Sequence, residues 1–299
     1  MKINGHEVEV GNLDQVYFPD AGITKGDLID YYRRIAPVML PHLQGRPISM
    51  QRYPRGIEEY GFYQKEVSEH FPEWIDRADV YVKEDDATQP QVVVNNAATL
   101  VYLADQGVIT LHTWLSRADA LDRPDRLIFD LDPPVGDFET VRFAARVLRD
   151  VLGSLGLVPF VMTTGSKGLH VTVPIDREQD FDAVRAFARD LAEWLASRHP
   201  DRFTTEIRKN KREGRLFLDY LRNAYGSHSV APYSVRALPG APIATPLDWH
   251  ELDDGRLHSQ TYHLGNIFRR LGQKSDPWQG IDEHTRPLSE ARKRLDEQL

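Results

Sequence analysis

Apolar residues recur at helical spacing in three long stretches of this sequence, and shorter apolar runs lie between them. The predicted helices cover residues 26–43, 137–155 and 181–198. Each begins beside a side chain that can cap the first helical amides, namely Thr24, Asp137, and Asp180 or Asp182. Pro37 predicts a kink or break in the first helix, and Gly156 predicts the end of the second. Two further helices are predicted, one near residues 262–271 and a charged, exposed one from residue 289 onward.

The short apolar runs predict β-strands, because they are bounded by polar turns and are shorter than typical helices. They are residues 126–132, 158–163, 169–174, 203–208 and 215–220. The second and third flank the polar turn 164–168, which predicts a hairpin. Strands and helices do not alternate regularly, so we expect an α+β fold rather than a doubly wound sheet. The Pro-containing stretches have the length of loops, and residues 1–299 are therefore predicted to form a single catalytic unit that can be two-lobed.

Two carboxylates close one of the strand candidates, in the sequence RLIFDLDPP. Successive strand side chains point to opposite faces, so Asp130 and Asp132 should share one face while Phe129 and Leu131 enter the core. Like charges held this close are costly without a cation between them, and Mg²⁺ or Mn²⁺ prefers such oxygen ligands. The alternative is an ordinary strand end with solvated Asp side chains before a Pro-Pro turn.

Composition narrows the class of protein. The chain has 299 residues, is 41% hydrophobic and contains no Cys, which excludes thiolate zinc sites, disulfides and thiol nucleophiles and is compatible with a reducing cytoplasm. We expect no secretion signal and no membrane span, and hence a cytoplasmic protein. A net charge of −8 argues against coating long duplex DNA. Residues 204–236, however, carry seven Lys/Arg against three acidic residues, which suits a small, highly charged substrate or, alternatively, a solvated basic hairpin.

Other motifs have a chemical and a structural interpretation each. A third strand carboxylate, Asp219, could complete a two-metal site for phosphoryl transfer with the first two, or form a salt bridge with a neighbouring Arg. The sequence TTGSKGLH has the glycines, hydroxyls, Lys and His of a phosphate cradle, without the spacing of a Walker A loop, and could equally be a plain hairpin turn. His112, Phe62 and Tyr63 could bind nucleotide or simply pack in the core.

Eight motifs taken together indicate a family. In order along the chain they are GITKGDLIDYY, GFYQK, LHTW, FDLDPP, TTGSKGLH, KNKR, FLDYLRN and VAPYSVRA. The chain thereby resembles the polymerase domain of bacterial ligase D, of the archaeo-eukaryotic primase superfamily that serves non-homologous end joining. The resemblance covers roughly residues 10–290. It implies a two-lobed primase–polymerase core with mixed and antiparallel sheets flanked by helices.

The resemblance also implies an activity and a site. The expected enzyme is a template-dependent nucleotidyltransferase that fills short gaps at broken DNA ends, prefers ribonucleotides and uses two Mn²⁺ or Mg²⁺ ions held by Asp130, Asp132 and Asp219. Residues that match positions around the incoming nucleoside triphosphate are His112, Thr164, Ser166, Lys167, His170, Arg212, Arg222 and Arg236. Expected partners are DNA ends and gaps with a 5′-phosphate, a Ku-type protein and a separate DNA ligase, because no ligase or phosphoesterase module is present in these residues.

The family also suggests contacts to DNA. Phe62 and Tyr63 match an aromatic pair that stacks on nucleotide and template bases, and Lys25 matches a contact to the 5′-phosphate of the downstream strand. Gln15 stands where the family usually has a second basic residue for that phosphate, which predicts weaker end recognition. Gln51 stands where a Lys is common near the nucleotide.

Three alternative functions remain open at this stage. The same carboxylates could serve a metal-dependent nuclease or phosphohydrolase with water as the nucleophile. The chain could also be a non-catalytic module that binds DNA ends. De novo primer synthesis is a variant of the polymerase hypothesis that the sequence does not separate from gap filling.

Overall fold

The computed structural model describes residues 1–82, 86–133 and 137–298. The chain forms two compact units, each assembled from three separate stretches. Unit 1 consists of Met1–Leu121, His228–Ala244 and Tyr262–Lys274. Unit 2 consists of Asp122–Ser227, Thr245–Thr261 and Ser275–Leu299. Over the described ranges, no helix combines the length and apolar character that crossing a membrane requires.

The strands are β1 (Lys2–Ile3), β2 (His6–Glu7), β3 (Val16–Phe18), β4 (Ile23–Thr24), β5 (Ile48–Arg52), β6 (Phe62–Gln64), β7 (Arg77–Val82), β8 (Ala87–Val92), β9 (Val108–Trp114), β10 (Ser116–Arg117), β11 (Ala120–Pro124), β12 (Arg126–Asp132), β13 (Phe160–Thr163), β14 (Leu169–Pro174), β15 (Phe203–Thr204), β16 (Leu216–Asp219), β17 (His228–Val230) and β18 (Thr245–Leu247). The helices are α1 (Lys25–Leu43), α2 (Ala97–Asp105), α3 (Phe138–Ser154), α4 (Phe181–Arg198), α5 (Ile267–Leu271) and α6 (Leu288–Asp296). Short 3-10 turns lie at Lys209–Lys211, Trp249–Asp253 and Ile281–His284.

Unit 1 is organised around an antiparallel sheet with the order β17-β9-β5-β6. Helices α1 and α2 pack against each other, and the apolar face of α1 is fully buried at Leu28, Tyr32 and Ile35. The hydroxyl of Tyr32 donates to the backbone carbonyl of Ile109 in β9 at 2.6 Å. The core of unit 1 therefore lies between the two helices and this sheet.

Unit 2 is organised around a six-stranded sheet with the order β15-β16-β12-β14-β13-β18. Every pair is antiparallel except β15–β16, which is parallel. Helices α3 and α4 pack on its strands, and α6 contacts α4. The mixed sheets and separate helices confirm the predicted α+β class.

Most local predictions match the structure. Thr24, Asp137 and Asp180 each accept a hydrogen bond from an amide in the first helical turn. Gly156, with φ of +86°, directly follows Leu155, the residue that caps the C-terminus of α3, and so marks the end of this helix as predicted. The predicted break at Pro37 is wrong, because α1 continues through it to Leu43.

Four element predictions need correction. The predicted strand 203–208 is only two residues long, because the carbonyls of Glu206 and Ile207 accept hydrogen bonds from the Arg212 guanidinium instead of from a neighbouring strand. The basic segment after it is no hairpin, since β15 and β16 run parallel. Helix α5 starts only at residue 267, and α6 buries one face rather than lying fully exposed.

Asn223 holds the middle of β12 where β16 has already ended. Its side-chain oxygen accepts from the amide of Ile128 at 2.9 Å, and its side-chain nitrogen donates to the carbonyls of Ile128 at 2.7 Å and Tyr220 at 2.9 Å. Asn223 is fully buried, at 0% exposure. The side chain thus replaces the missing strand and fixes the chain that follows β16 beside β12.

We expect Asn223→Ala to lower the free energy of unfolding by about 2–4 kcal/mol, because it leaves a buried amide and a buried carbonyl without partners. Denaturant unfolding followed by circular dichroism measures this difference. Asn210→Ala, at an exposed position, is the matched control and should change stability little. Equal stability of Asn223→Ala and the unaltered protein would show that Asn223 does not hold this strand.

Candidate active site

The two carboxylates of β12 emerge from the central part of the unit 2 sheet. Phe129 and Leu131 are fully buried, whereas Asp130 and Asp132 lie on the other face with access to solvent. This confirms the predicted alternation of the strand. Its apolar face anchors the strand in the core, so the positions of both carboxylates are fixed by the fold.

Strand β16 brings the third carboxylate beside the first. In the antiparallel β12–β16 pair, Asp219 stands directly opposite Asp130. Like charges in this relation repel each other. Burial raises the pKa of both Asp132 and Asp219 above the usual carboxyl value, and repulsion from Asp130 raises each pKa further. The amide of Leu221 donates to Asp219 at 2.8 Å and partly opposes this shift.

Two basic side chains contact these carboxylates. His170, opposite Asp130 on β14, is 4% exposed, and its Nε2 lies 3.3 Å from the Asp130 carboxylate. Nε of Arg222 lies 3.5 Å from Asp130 and 3.8 Å from Asp219. Arg222 therefore reduces the repulsion between the two carboxylates that face each other across the ladder.

The acidic residues fit a divalent-ion site by their chemistry. Within residues 1–82, 86–133 and 137–298, no three His, Asp or Glu side chains converge in a ready-made metal cluster. Burial, with repulsion from Asp130 as a smaller cause, nevertheless raises the pKa of both Asp132 and Asp219, so the charged form of each carboxylate is disfavoured without a cation. Carboxylate oxygens are the ligands that hard divalent ions prefer, and the half-exposed Arg222 side chain has room to turn away from them.

The turn between β13 and β14 lies against the end of β12. A Cβ atom on Gly168 would come within 1.8 Å of the carbonyl oxygen of Leu131, so only glycine allows this approach. Thr164, predicted to contact nucleotide, is instead buried at 4% exposure, and its hydroxyl accepts from the amides of Ser166 and Gly168. Thr164 thus shapes the turn from inside, and the following Ser166 and Lys167 line the adjoining cleft.

A cleft of about 720 Å³ opens in unit 2 beside Asp132. Among its described lining residues, four cationic side chains accompany this one carboxylate: Lys167, Lys209, Arg212 and Arg215. Arg212 lies with its guanidinium 4.2 Å from the centre of the Phe217 ring. The cleft thus combines one carboxylate with several cations, an arrangement that suits a metal-bound polyphosphate.

Sequence analysis missed one wall of this cleft. His258, Ser259 and Gln260 line it from the segment that follows β18. Gln260 Nε2 donates to the carbonyl oxygen of Ser166 at 2.9 Å. No local pattern marks these residues, since the contact spans 94 positions of the chain.

The remaining predicted nucleotide contacts lie in unit 1. Tyr63 is 62% exposed, and its ring centre lies 5.7 Å from that of His112. Phe62 contacts different neighbours, because successive strand residues face opposite ways: its ring stacks with Tyr60, and Arg52 lies over it at 5.5 Å. Phe62 and Tyr63 therefore do not form one continuous stacking surface in this structure.

Arg236 lies in the same unit, in the stretch that follows β17. Its backbone amide donates to the carbonyl of Pro242 at 2.7 Å, and its side chain is partly buried. The contact to nucleotide that the family resemblance assigns to Arg236 stays a prediction.

Lys25 has a protein partner in this structure. Its ammonium lies 2.7 Å from the Asp105 carboxylate, and the two side chains are only 7% and 12% exposed. The amides that begin α1 are also occupied: Thr24 N donates to Asp27, Lys25 N to Gln15 O, Gly26 N to Leu13 O and Asp27 N to Thr24 Oγ1. The first amides of α1, next to the Lys25 side chain that the resemblance assigns to a 5′-phosphate, therefore have their hydrogen bonds satisfied within the protein.

With this geometry established, comparison with known proteins identifies the family. The family model described as "LigD, primase-polymerase domain" matches residues 24–278. The chain belongs to this family of primase–polymerase domains, which are nucleotidyltransferases. The resemblance inferred from the eight motifs is confirmed.

Individual relatives agree. The chain is 33% identical over 284 residues to the multifunctional non-homologous end joining DNA repair protein LigD of Mycobacterium tuberculosis, covering 92% of this chain and 37% of the relative. It is 34% identical over 274 residues to the LigD protein of Pseudomonas aeruginosa, covering 91% of this chain and 32% of the relative. The chain thus spans about a third of the length of these relatives.

A solved structure supports the same fold. The polymerase domain from Mycobacterium tuberculosis ligase D in complex with DNA superposes with a TM-score of 0.87 at 31% identity, covering 93% of this chain and 98% of that one. Nearly the whole described chain therefore corresponds to one polymerase domain of that protein.

Repulsion between Asp130, Asp132 and Asp219 predicts how the protein's thermal stability responds to a substitution and to Mn²⁺. Asp132→Asn should raise the thermal midpoint of the metal-free protein by about 2–4 °C, because it removes one of the mutually repelling groups. Thermal unfolding in EDTA and in Mn²⁺ measures this, and Mn²⁺ should stabilise the unaltered protein more than the variant. Asp201→Asn, at an exposed position, should alter neither value. Equal Mn²⁺ stabilisation of both proteins would remove Asp132 from the ion site.

The ion pair between Lys25 and Asp105 predicts a loss of stability when the Lys25 charge is removed. Lys25→Met should lower the free energy of unfolding by about 3 kcal/mol, because it leaves the Asp105 carboxylate buried without its counter-charge. Denaturant unfolding measures the loss, with Lys2→Met at an exposed position as the control. If Lys25→Met keeps full stability but loses the preference for 5′-phosphorylated gapped DNA, the ammonium serves DNA rather than the fold.

Proposed function

We propose that this protein is a template-dependent nucleotidyltransferase that fills short gaps at DNA double-strand breaks during end joining. The observation that carries the proposal is the cleft of unit 2, which is lined by Asp132 and by Ser166 and Lys167 of the turn. Asp130 lies two residues before Asp132 on the same face of β12, and Asp219 pairs opposite Asp130. The reaction is attack of a primer 3′-hydroxyl on the α-phosphorus of a nucleoside triphosphate, with release of pyrophosphate. The similarity to a non-homologous end joining DNA repair protein, and to a polymerase domain solved in complex with DNA, supports the biological setting.

Each group of residues has a task in this reaction. Asp130, Asp132 and Asp219 would hold two divalent ions, which when bound supply charge neutralisation at the attacking and leaving oxygens. Lys167 would neutralise phosphate oxygens from the turn, and Arg212 from the opposite loop. The cations of the cleft would attract the phosphates of the triphosphate, while carboxylates without a bound ion would repel them.

Arg222 is placed to respond to ion binding. In this structure it bridges Asp130 and Asp219, the carboxylates that an ion would otherwise neutralise. If an ion held by these carboxylates neutralised their charge, the Arg222 guanidinium could turn away from them and donate to a phosphate oxygen. His170 keeps its contact with Asp130 and limits the rotation of that carboxylate.

Further parts of the proposal rest on the family. We propose Mn²⁺ or Mg²⁺ as the ions, a preference for ribonucleotides, and base stacking by Phe62 and Tyr63. A Ku-type protein and a separate DNA ligase are the proposed partners, with His112 and Arg236 as further nucleotide contacts. The Cys-free composition suits a cytoplasmic location.

Primer extension on gapped DNA tests the proposal. With Mn²⁺ and ribonucleoside triphosphates, Asp130→Ala should extend the primer about 100-fold more slowly than the unaltered protein, while Asp201→Ala should match it. Parallel reactions with deoxynucleotides measure sugar preference. Equal extension by Asp130→Ala would refute the assigned site.

Three further measurements separate the alternative functions. Loss of labelled DNA without added triphosphate would indicate a nuclease or phosphohydrolase. Product formation on a template without primer would indicate de novo priming. Binding of 5′-phosphorylated gaps without any metal-dependent reaction would indicate a non-catalytic end-binding module.

A further inference from the structure

The segment after β18 holds the turn that carries Lys167. Ser259 Oγ donates to the carbonyl oxygen of Gly168 at 3.0 Å, and Gln260 Nε2 donates to the carbonyl oxygen of Ser166 at 2.9 Å. Both acceptors belong to the turn, and both donors come from more than 90 residues further along the chain. Neither Ser259 nor Gln260 is part of the motifs that identified the family.

Hydrogen bonds between Thr164, Gly168 and Ser259 connect the turn to this segment. The Gly168 carbonyl accepts from the Thr164 amide at 3.0 Å, from the Ser259 hydroxyl at 3.0 Å and from the Thr164 hydroxyl at 3.2 Å. The Thr164 hydroxyl also accepts from two amides of the turn and lies within hydrogen-bond distance of Ser259 Oγ, at 3.1 Å. Thr164 and Ser259 are each only 4% exposed. A closed, buried network therefore joins the turn to the segment.

The turn is held from two sides. On one side, Gly168 lies so close to β12 that even a methyl group does not fit. On the other side, Ser259 and Gln260 occupy the carbonyl oxygens of Gly168 and Ser166, two groups whose partial negative charge would repel a phosphate if they rotated into the cleft. Lys167 lies between these two held residues, so its ammonium approaches the cleft from a fixed backbone.

We propose that Ser259 and Gln260 are positioning residues for triphosphate binding, acting by holding the Ser166–Gly168 turn so that Lys167 faces the phosphates. This inference rests on the proposed function, because it assigns the turn to a nucleoside triphosphate. It adds to that function a source of affinity outside the phosphate-contacting residues themselves. Ser259 and Gln260 contact the turn and not the triphosphate itself, so they act on the triphosphate through the position of Lys167. Their loss should therefore affect substrate affinity more than the chemical step.

Steady-state primer extension with variants of both residues tests the proposal. Ser259→Ala should raise the KM for the nucleoside triphosphate about tenfold and leave kcat within about twofold. Its fold should persist, because the Gly168 carbonyl still accepts from the Thr164 hydroxyl, 3.2 Å away. Gln260→Ala, at an exposed position, should raise KM in the same direction without loss of stability. Ser197→Ala and Gln279→Ala, both exposed, are the controls and should keep the original KM.

The outcomes separate this inference from the function on which it rests. If the unaltered protein extends primers and both folded variants keep its KM, the positioning role is refuted while the function stands. A fall in kcat at unchanged KM also refutes it, since the residues would then act on the chemical step. If Ser259→Ala does not fold, Gln260→Ala alone decides. Absence of extension by the unaltered protein refutes the proposed function instead.

Discussion

The repulsion between Asp130 and Asp219, placed opposite each other across two antiparallel strands, is the interaction on which the rest of the site depends. Like charges directly opposite each other on paired strands lower the stability of the fold, so neighbouring residues must offset their repulsion. Arg222 supplies positive charge, and Asn223 keeps the chain beside β12 by bonding its backbone. Asp219, Arg222 and Asn223 stand within five residues of each other at the end of β16, so one carboxylate of the costly pair and both supports come from the same short segment.

Negative and positive charges around the cleft lie on different kinds of element. The carboxylate of Asp132 stands at the end of strand β12, whereas the cations Lys167 and Arg212 stand on connecting segments. The strand is rigid because its other face is buried, and the connecting segments are held by side chain to backbone hydrogen bonds. The carboxylate thus stands on the sheet and the two cations on connecting segments, and contacts of the surrounding chain hold the backbone of both.

Sequence patterns predicted the structural features that depend on residues close together in the sequence. The caps at Thr24 and Asp180 and the alternation along β12 follow from contacts a few positions apart, so their signal is local. The burial of Lys25 against Asp105 and the contact of Gln260 with the turn join distant parts of the chain, and no local period reports them. The parallel pairing of β15 with β16 was missed for the same reason, since register is decided by the sheet.

The division of each unit into three stretches has a consequence for how the chain can be cut. Unit 1 ends at Leu121, resumes at His228 and returns again at Tyr262, and unit 2 fills the intervals. No single break in the chain releases either unit whole. A fragment ending before residue 245 would keep the DLD and SKG motifs but lose β18 and the support of the turn. Both motifs can thus be present in a fragment whose turn is no longer held as it is in the whole protein.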